Sequence, residues 1–190
     1  MLTYLVKTAH PVVLTYLDEA FMLLNCREYP SWLYPILLGA TTIWERWDGI
    51  KTDGSFQDKR MNSFNHYAYG AIGDWLYKEV AGINPDPDNP GFRHVIVAPK
   101  PGGNIRWANG SLIIPYGIVE SAWNMEENCF DICLPPNTYG TVRLPGVKLS
   151  TLTENGKPVQ EIEGVQMVEE KNDEVVLKIG SGRYHFEIAH

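Results

Sequence analysis

The chain has 190 residues, of which 44% are hydrophobic, 21% charged and 12% aromatic, so it can build a core and is not a disordered tail. It carries 16 basic and 23 acidic residues, and this net charge of −7 argues against a nucleic-acid binder, which needs clustered Lys and Arg. No uninterrupted apolar run of about 18 residues exists, so we expect no membrane-spanning segment.

Residues 1–83 have the hydrophobic spacing of helices. Apolar residues three and four apart predict one helix over 12–24 and a second over 63–81. The irregular stretch 29–60 between them is rich in Pro and Gly and long for a loop in a compact domain, which is typical of a functional segment.

The segment 84–91 contains three prolines and is predicted to be a linker, and residues 92–190 then change to a period of two. Strands are predicted at 94–98, 105–108, 111–115, 118–124, 130–134, 140–144, 149–154, 175–179 and 184–188. Asn109-Gly110 and Asn155-Gly156 are dipeptides that close hairpins. Helices followed by many short strands predict an α+β chain that ends in an antiparallel β-sandwich.

The three cysteines, Cys26, Cys129 and Cys133, are too few to indicate a disulfide framework. Cys129 and Cys133 share one face of a predicted strand but lie about 13 Å apart along it, which is too far to bridge. Zinc would need partners that this spacing does not supply. We therefore predict ordinary thiols, no metal and a cytoplasmic location.

The segment 41–49 places Glu45 between Trp44 and Trp47. Indole rings pack on the apolar face of a sugar ring, and a partly desolvated carboxylate can act as base or acid, so the pattern suits sugar chemistry. The alternative is a buried pair of Glu45 with Arg46 or a lysine between two core tryptophans. Asp53, Asp58 and Asp74 are predicted to be solvated carboxylates.

His66 lies near the start of the second predicted helix, with Gly70 and Gly73 on the same face. Because glycine has no side chain, the helix face around His66 leaves room for a ligand or for another helix. The alternative is a structural histidine held by hydrogen bonds at a helix start.

Three blocks in this order carry a resemblance: EYPSWLY at 28–34, GATTIWERWDG at 39–49 and SFNHYAYG at 63–70. Together with the shorter matches Ala81-Gly82-Ile83, Pro115-Tyr116-Gly117 and residues 180–184, they resemble the C-terminal portion of the bacterial α-L-rhamnosidases of glycoside hydrolase family 78. The resemblance covers nearly the whole chain and is loose only over 11–26.

The resemblance implies a fold and a reaction. Residues 1–83 would be the last helices of an (α/α)6 barrel, and 92–190 the sandwich that follows it. The family hydrolyses terminal α-L-rhamnosyl groups with inversion and without a cofactor. Glu45 matches its general base, and His66 matches a histidine that contacts rhamnose. Trp44 and Trp47 would then flank the Glu45 side chain and bind substrate.

The family's general acid and much of its sugar pocket lie upstream of the segments matched here. We therefore expect a C-terminal piece of a rhamnosidase that is weakly active or inactive alone, since proton donation is typically worth about 10²–10⁴-fold. Its partners are expected to be rhamnose-containing glycosides, and a homo-oligomer or the remaining barrel would cover its exposed apolar faces.

A second hypothesis is that the β half is a non-catalytic carbohydrate-binding or scaffolding module. Its aromatic residues Trp107, Tyr116, Trp123 and Tyr139 would then form a sugar platform. Against this, Trp107 and Trp123 each fall in an alternating strand, and the sequence favours a core position for both.

Overall fold

The structure is a computed structural model that describes residues 16–189, and the chain divides into two compact units. The first unit contains the residues up to Trp75 together with Gly102–Asn104, and the second contains Leu76–Pro101 and the residues from Ile105 onward. The first unit has short helices and irregular segments, whereas the second is built on a nine-stranded sheet. The prediction of helical elements followed by strands is confirmed at this level.

The first unit packs around Phe21. Helix α1, Leu17–Asn25, buries this side chain, and the ring meets the edge of Trp75 with 5.3 Å between ring centroids. A Cβ atom at Gly102 or Gly103 would lie 2.6 or 2.7 Å from Phe21, which is closer than atoms can approach. Both positions therefore require glycine so that the backbone can lie against the ring.

The helices differ from the predicted ones in length and type. Of the helix predicted at 12–24, positions 12–15 lie outside the described residues. The helix predicted at 63–81 is a 3₁₀ turn at Ala68–Ala71, helix α3 at Ile72–Trp75 and a π turn at Leu76–Val80. Residues 63–67 are not helical because their backbone groups bond to residues 43 and 45 instead.

An additional short helix, α2, spans Leu33–Leu37 within the stretch predicted to be irregular. The hydroxyl group of Ser31, which is fully buried, accepts a hydrogen bond of 3.1 Å from the Tyr34 backbone N–H. Serine at this place satisfies an amide that the helix itself leaves unpaired.

The second unit contains nine strands in one hydrogen-bonded sheet. They are β1 Ile83–Pro85, β2 His94–Val97, β3 Trp107–Ile114, β4 Gly117–Asn124, β5 Cys129–Pro145, β6 Leu152–Glu154, β7 Lys157–Pro158, β8 Val165–Lys171 and β9 Glu174–Ile188. Short 3₁₀ turns at Leu149–Thr151 and Val159–Glu161 flank β6 and β7. The sheet is not wholly antiparallel as predicted, because β2 pairs with β5 in parallel.

Strands β5 and β9 organise the sheet. β9 pairs with β5, β6 and β8, and β5 also pairs with β2 and β4. Each was predicted as two short strands, but each is continuous, with an irregularity between Leu134 and Tyr139 where the pairing shifts register. Alternate residues of these strands form the core, among them Phe130, Ile132, Leu134, Val142, Leu144, Val175, Leu177, Ile179 and Phe186.

The two Asn-Gly dipeptides have different structures. Asn155-Gly156 joins β6 to β7 with positive φ at both residues, so the predicted hairpin turn is confirmed. Asn109-Gly110 lies inside the continuous strand β3, so the predicted turn there is wrong. A Cβ atom at Gly110 would lie 2.6 Å from the Ala81 side chain, and the glycine therefore serves close packing.

The segment predicted as a linker, 84–91, contains the end of β1 and a turn closed around Asp86. This buried carboxylate accepts hydrogen bonds from the Asp88 backbone N–H at 3.0 Å and the Asn89 amide at 2.6 Å, and it lies 2.6 Å from His94 Nδ1. These partners lower the pKa of Asp86 to about 2, first the Asn89 side chain and then His94. The other His94 nitrogen lies 2.9 Å from the Thr141 hydroxyl on β5.

Candidate functional site

The first unit brings Glu45 and His66 onto two segments that pair through their backbones. The Glu45 N–H donates to the Ser63 carbonyl at 2.8 Å, and the His66 N–H donates to the Ile43 carbonyl at 2.8 Å. The Thr42 hydroxyl donates to the Phe64 carbonyl between them. Three bonds over so short a stretch fix the register of residues 42–45 against 63–66.

The Glu45 side chain is held in the same pairing. Its Oε2 accepts a hydrogen bond of 3.1 Å from the Ser63 N–H, and the residue is partly buried. Among residues 16–189 no ion pair involves Glu45, and the guanidinium of Arg46 donates instead to Gln57 Oε1 at 2.6 Å. The alternative of a Glu45–Arg46 pair is therefore wrong, and the carboxylate is oriented by a backbone amide.

The two tryptophans that flank Glu45 have different surroundings. Trp47 stacks on Tyr69, with ring centroids 4.4 Å apart and an angle of 18° between the ring planes, and it meets Trp32 edge to face at 5.5 Å. Trp44 is only 5% exposed and packs edge-on against Phe64 at 5.2 Å. The buried indole N–H of Trp47 has no hydrogen-bond acceptor among the described residues, whereas that of Trp32 donates to the Tyr69 carbonyl.

His66 lies at the edge of an open groove of about 690 Å³. Its Nδ1 accepts a hydrogen bond of 3.3 Å from the Ala68 N–H, and its ring lies parallel to that of Tyr67. An accepting Nδ1 places the proton of the neutral ring on Nε2, which leaves one donor for a ligand. The groove is lined by Thr42, Ile43, Asn65, His66, Tyr67, Ala68, Gly70 and Ala71, and Glu45, Trp44 and Trp47 are not among its walls.

Tyr67 is a groove residue that the sequence did not single out. Its side chain is 88% exposed, which is high for an aromatic ring. The helix predicted over 63–81 contains Tyr67. Only its position next to His66 would have suggested a role.

The four aromatic residues considered for a sugar platform differ in exposure. Trp107 is 65% exposed, so its predicted core position is wrong, while Trp123 is 1% exposed and is a core residue as predicted. The Trp123 indole N–H donates to the Val80 carbonyl at 2.8 Å, which ties it to the interior. Tyr116 and Tyr139 are 40% and 45% exposed. A sugar platform in this unit would therefore lack Trp123.

The second unit also carries a polar cavity of about 440 Å³ on one face of β4, β5 and β9. Its walls include the side chains of Glu120, Asp131, Cys133, Glu154, Arg183 and His185. Next to it, Cys129 is a buried free thiol whose pKa is raised, chiefly by burial and then by the Asp131 carboxylate. Sequence reasoning missed this cluster because its members come from different strands.

No helix of the described part of the chain is both long and apolar enough to cross a membrane. A cytoplasmic location stays a prediction.

Comparison with known proteins gives matches over both units. The model of the bacterial alpha-L-rhamnosidase 6 hairpin glycosidase domain matches residues 6–80, and that of the bacterial alpha-L-rhamnosidase C-terminal domain matches residues 82–158. An alpha-L-rhamnosidase of Streptomyces avermitilis is 39% identical over 173 residues, which is 90% of this chain but 16% of that protein. The chain thus spans about a sixth of the length of this relative.

Two solved structures are similar in fold. The crystal structure of the Streptomyces avermitilis alpha-L-rhamnosidase complexed with L-rhamnose has a TM-score of 0.78 and 38% identity over 92% of this chain and 16% of its own. The alpha-L-rhamnosidase structure from Dictyoglumus thermophilum has a TM-score of 0.76 and 34% identity over 94% of this chain and 20% of its own.

Proposed function

Because the chain belongs to the bacterial α-L-rhamnosidase family, of which it matches a C-terminal portion, we propose that its first unit holds the general base of an inverting α-L-rhamnosidase site. The observation that carries this proposal is the backbone pairing that holds Glu45 and His66 on adjacent segments. In finer detail we propose that this unit is the end of an (α/α)6 barrel and that the second unit is a β-sandwich.

Glu45 has the properties that a general base needs. One carboxylate oxygen is fixed by the Ser63 N–H, and no other hydrogen bond reaches the carboxylate from the described residues. The second oxygen can then accept a proton from water as the water attacks the anomeric carbon. In an inverting enzyme the acid and base lie about 6.5–9.5 Å apart to leave room for that water.

His66 would bind the sugar as a hydrogen-bond donor. Its Nδ1 is occupied by the Ala68 N–H, so Nε2–H is the group that can reach a rhamnose hydroxyl. The exposed ring of Tyr67 beside it offers an apolar surface to a sugar ring. The structural and ligand-binding interpretations of His66 are therefore compatible, since each uses a different ring nitrogen.

The tryptophans would support the site in different ways. Trp47 is held between Tyr69 and Trp32 with its indole N–H buried, so the part of the ring that is exposed is what it offers to a sugar. Trp44 is almost fully buried, so we assign it to packing behind Glu45 rather than to sugar contact.

Two carboxylates of this unit, Asp53 and Asp58, are unsuited to the role of general acid. A general acid needs a raised pKa, whereas hydrogen bonds from Ser55 lower the pKa of Asp53 and backbone N–H groups of Arg60 and Met61 lower that of Asp58. We therefore propose that the chain alone binds rhamnose but hydrolyses rhamnosides weakly, and that association with the remaining barrel or a second copy completes the pocket.

The activity test is hydrolysis of an aryl α-L-rhamnoside by the purified chain and by Glu45→Gln. We expect weak turnover that falls by a further factor of about 10²–10⁴ in Glu45→Gln, with the β-anomer of rhamnose as the first product seen by NMR. Asp53→Asn is the matched control and should keep the activity of the parent chain. Equal turnover by the parent chain and Glu45→Gln would contradict the assignment of the base.

Rhamnose binding can be measured separately from hydrolysis, and it tests the sugar site alone. Rhamnose titration followed by NMR should show binding by the parent chain and Glu45→Gln but not by His66→Ala. His66→Asn is the stringent control, because an Asn oxygen can still accept the Ala68 N–H while the Nε2 donor is lost. Unchanged rhamnose binding by His66→Asn would remove His66 from the site.

The second candidate function is a carbohydrate-binding module in the second unit, and the exposure of Trp107 favours it. The ring is available to stack on a sugar, as exposed aromatic residues do in binding sites. Loss of rhamnoside binding in Trp107→Ala, with binding intact in His66→Asn, would favour the module over the barrel site.

A further inference from the structure

Two neighbouring residue pairs on β5 and β9 place four potential metal ligands on one face of the sheet. Cys129 lies directly opposite Glu187, and Asp131 lies directly opposite His185. Because alternate residues of a strand point to the same face, the four side chains form adjacent rows on that face.

Three of these side chains already converge. Cys129 Sγ, a carboxylate oxygen of Asp131 and a ring nitrogen of His185 all lie within 4.8 Å of one another. The Asp131 carboxylate is 2.7 Å from His185 Nδ1, and Glu187 Oε1 is 3.9 Å from His185 Nε2. The donors are thus gathered from two strands by the register of one ladder.

The donor types select the metal. Thiolate, imidazole and carboxylate together are the ligands of zinc, whereas calcium and magnesium take oxygen alone. Zinc bonds of about 2.0–2.3 Å in a tetrahedron put ligand atoms roughly 3.5 Å apart. The Asp131 oxygen and His185 Nδ1, now 2.7 Å apart, therefore have to separate while both approach the sulfur, an adjustment of about 1 Å. The partly exposed side chains of Asp131 and His185 can rotate to provide it, while the buried Cys129 stays in place.

The surroundings favour a cation that can enter from solvent. Asp131 and His185 line the open cavity of about 440 Å³, which gives access from one side. The carboxylates of Asp131, Glu127 and Glu187 all act electrostatically on Cys129. A divalent cation would relieve the mutual repulsion of these negative charges.

We propose that Cys129, Asp131 and His185 bind a zinc ion, with a solvent molecule as the fourth ligand. The ion would cross-link β5 to β9 and so stabilise the pairing around which the sheet is organised. On binding, the Cys129 thiol gives its proton to buffer and coordinates as thiolate. Zinc was not expected from the sequence because only Cys133 was considered as a partner of Cys129, whereas Asp131 lies between the two cysteines and His185 comes from the neighbouring strand β9.

The test is titration of the whole purified chain with Zn²⁺ against a chromophoric chelator, and with Co²⁺ followed by absorption. We expect one Zn²⁺ per chain and a sulfur-to-cobalt charge-transfer band. Cys129→Ser and His185→Gln should each weaken Zn²⁺ binding by at least about 10–100-fold, since even outer-shell changes have effects of that size. Cys133→Ser, a thiol two residues beyond Asp131 on the same strand, is the matched control and should bind normally.

Three results would overturn the proposal. They are a stoichiometry well below one Zn²⁺ per chain, bound Co²⁺ without the sulfur band, and unchanged affinity in His185→Gln. His185 is at the surface, so its variant decides the question even if Cys129→Ser fails to fold. Zinc should also raise the thermal unfolding midpoint of the parent chain and not that of His185→Gln.

Discussion

The two units differ in how they hold their residues. In the described part of the first unit the buried apolar side chains are few, namely Ala20, Phe21, Pro35, Trp44 and Trp75. The second unit has a larger buried apolar core and joins nine strands in one hydrogen-bonded sheet. The unit with the candidate sugar site thus relies on a few aromatic contacts and loop pairings, while the sheet unit carries most of the buried apolar surface.

This difference indicates that the unit with the candidate sugar site is not the unit that contributes most of the stability. Burial of apolar surface is the main source of folding free energy, so the second unit is expected to dominate stability. The first unit exposes Met22, Ile36, Leu37, Phe56, Met61 and Tyr67. Mutations in the two units should therefore affect different measurements.

The largest effect should come from the core of the second unit. Phe186 is fully buried and lies parallel to Tyr184 at 5.7 Å, so Phe186→Ala should lower the free energy of unfolding by about 3–5 kcal/mol. Urea denaturation followed by circular dichroism measures the change. Trp107→Ala, which removes a larger but exposed ring, should stay within about 0.5 kcal/mol of the parent chain. A comparable loss in both variants would refute the assignment of the core.

Replacing two glycines by alanine should change the stability by smaller amounts and in opposite directions. Gly110→Ala puts a methyl group 2.6 Å from Ala81 and should destabilise the second unit by about 1–3 kcal/mol. Gly73, inside helix α3 of the first unit, has open space around its Cβ position, and Gly73→Ala should stabilise the helix by about 0.5–1 kcal/mol. Urea midpoints of both variants test the contrast, and destabilisation by Gly73→Ala would contradict the geometry of the first unit.

The pH dependence of the second unit should carry the signature of Asp86. Its pKa is about 2 in the folded chain and about 3.8 as a free carboxyl, so the charged form is favoured by folding. The stabilising contribution is complete above pH 3.8 and is lost as the pH falls through about 2. Urea midpoints measured at pH 7, 4 and 2.5 should fall more steeply in the parent chain than in Asp86→Asn. Parallel curves for the two proteins would show that the turn does not depend on this charge.

Regular periodicity made the sheet partly predictable from sequence. Strands β2 and β4 and the turn at Asn155-Gly156 follow from alternation and a turn dipeptide, which are local properties. The same dipeptide rule wrongly predicted a turn at Asn109-Gly110. The glycine is there because Ala81 packs closely against it, and this tertiary contact cannot be read from local sequence. Strand β8 was missed because its second half, Glu169, Glu170 and Lys171, reads as a solvated charge run.

The candidate site was less accessible to local rules. Glu45 and His66 were singled out by their neighbours in sequence and given their roles by the resemblance, whereas their juxtaposition depends on backbone pairing between irregular segments that no periodicity encodes. The same applies to the convergence of Cys129 with His185, which requires the register of β5 against β9. Residue types can suggest chemistry, but the pairing of distant segments decides which types meet.

The position of β9 also bears on how the protein is synthesised. Glu174–Ile188 is the last described strand, and it is the shared partner of β5, β6 and β8. At about 5–20 residues per second, the ribosome needs seconds to reach β9 after it has completed β5. During that interval the apolar faces and backbone edges of the strands that pair with β9 are unpaired, so protection by a chaperone would matter most between the synthesis of β5 and that of β9.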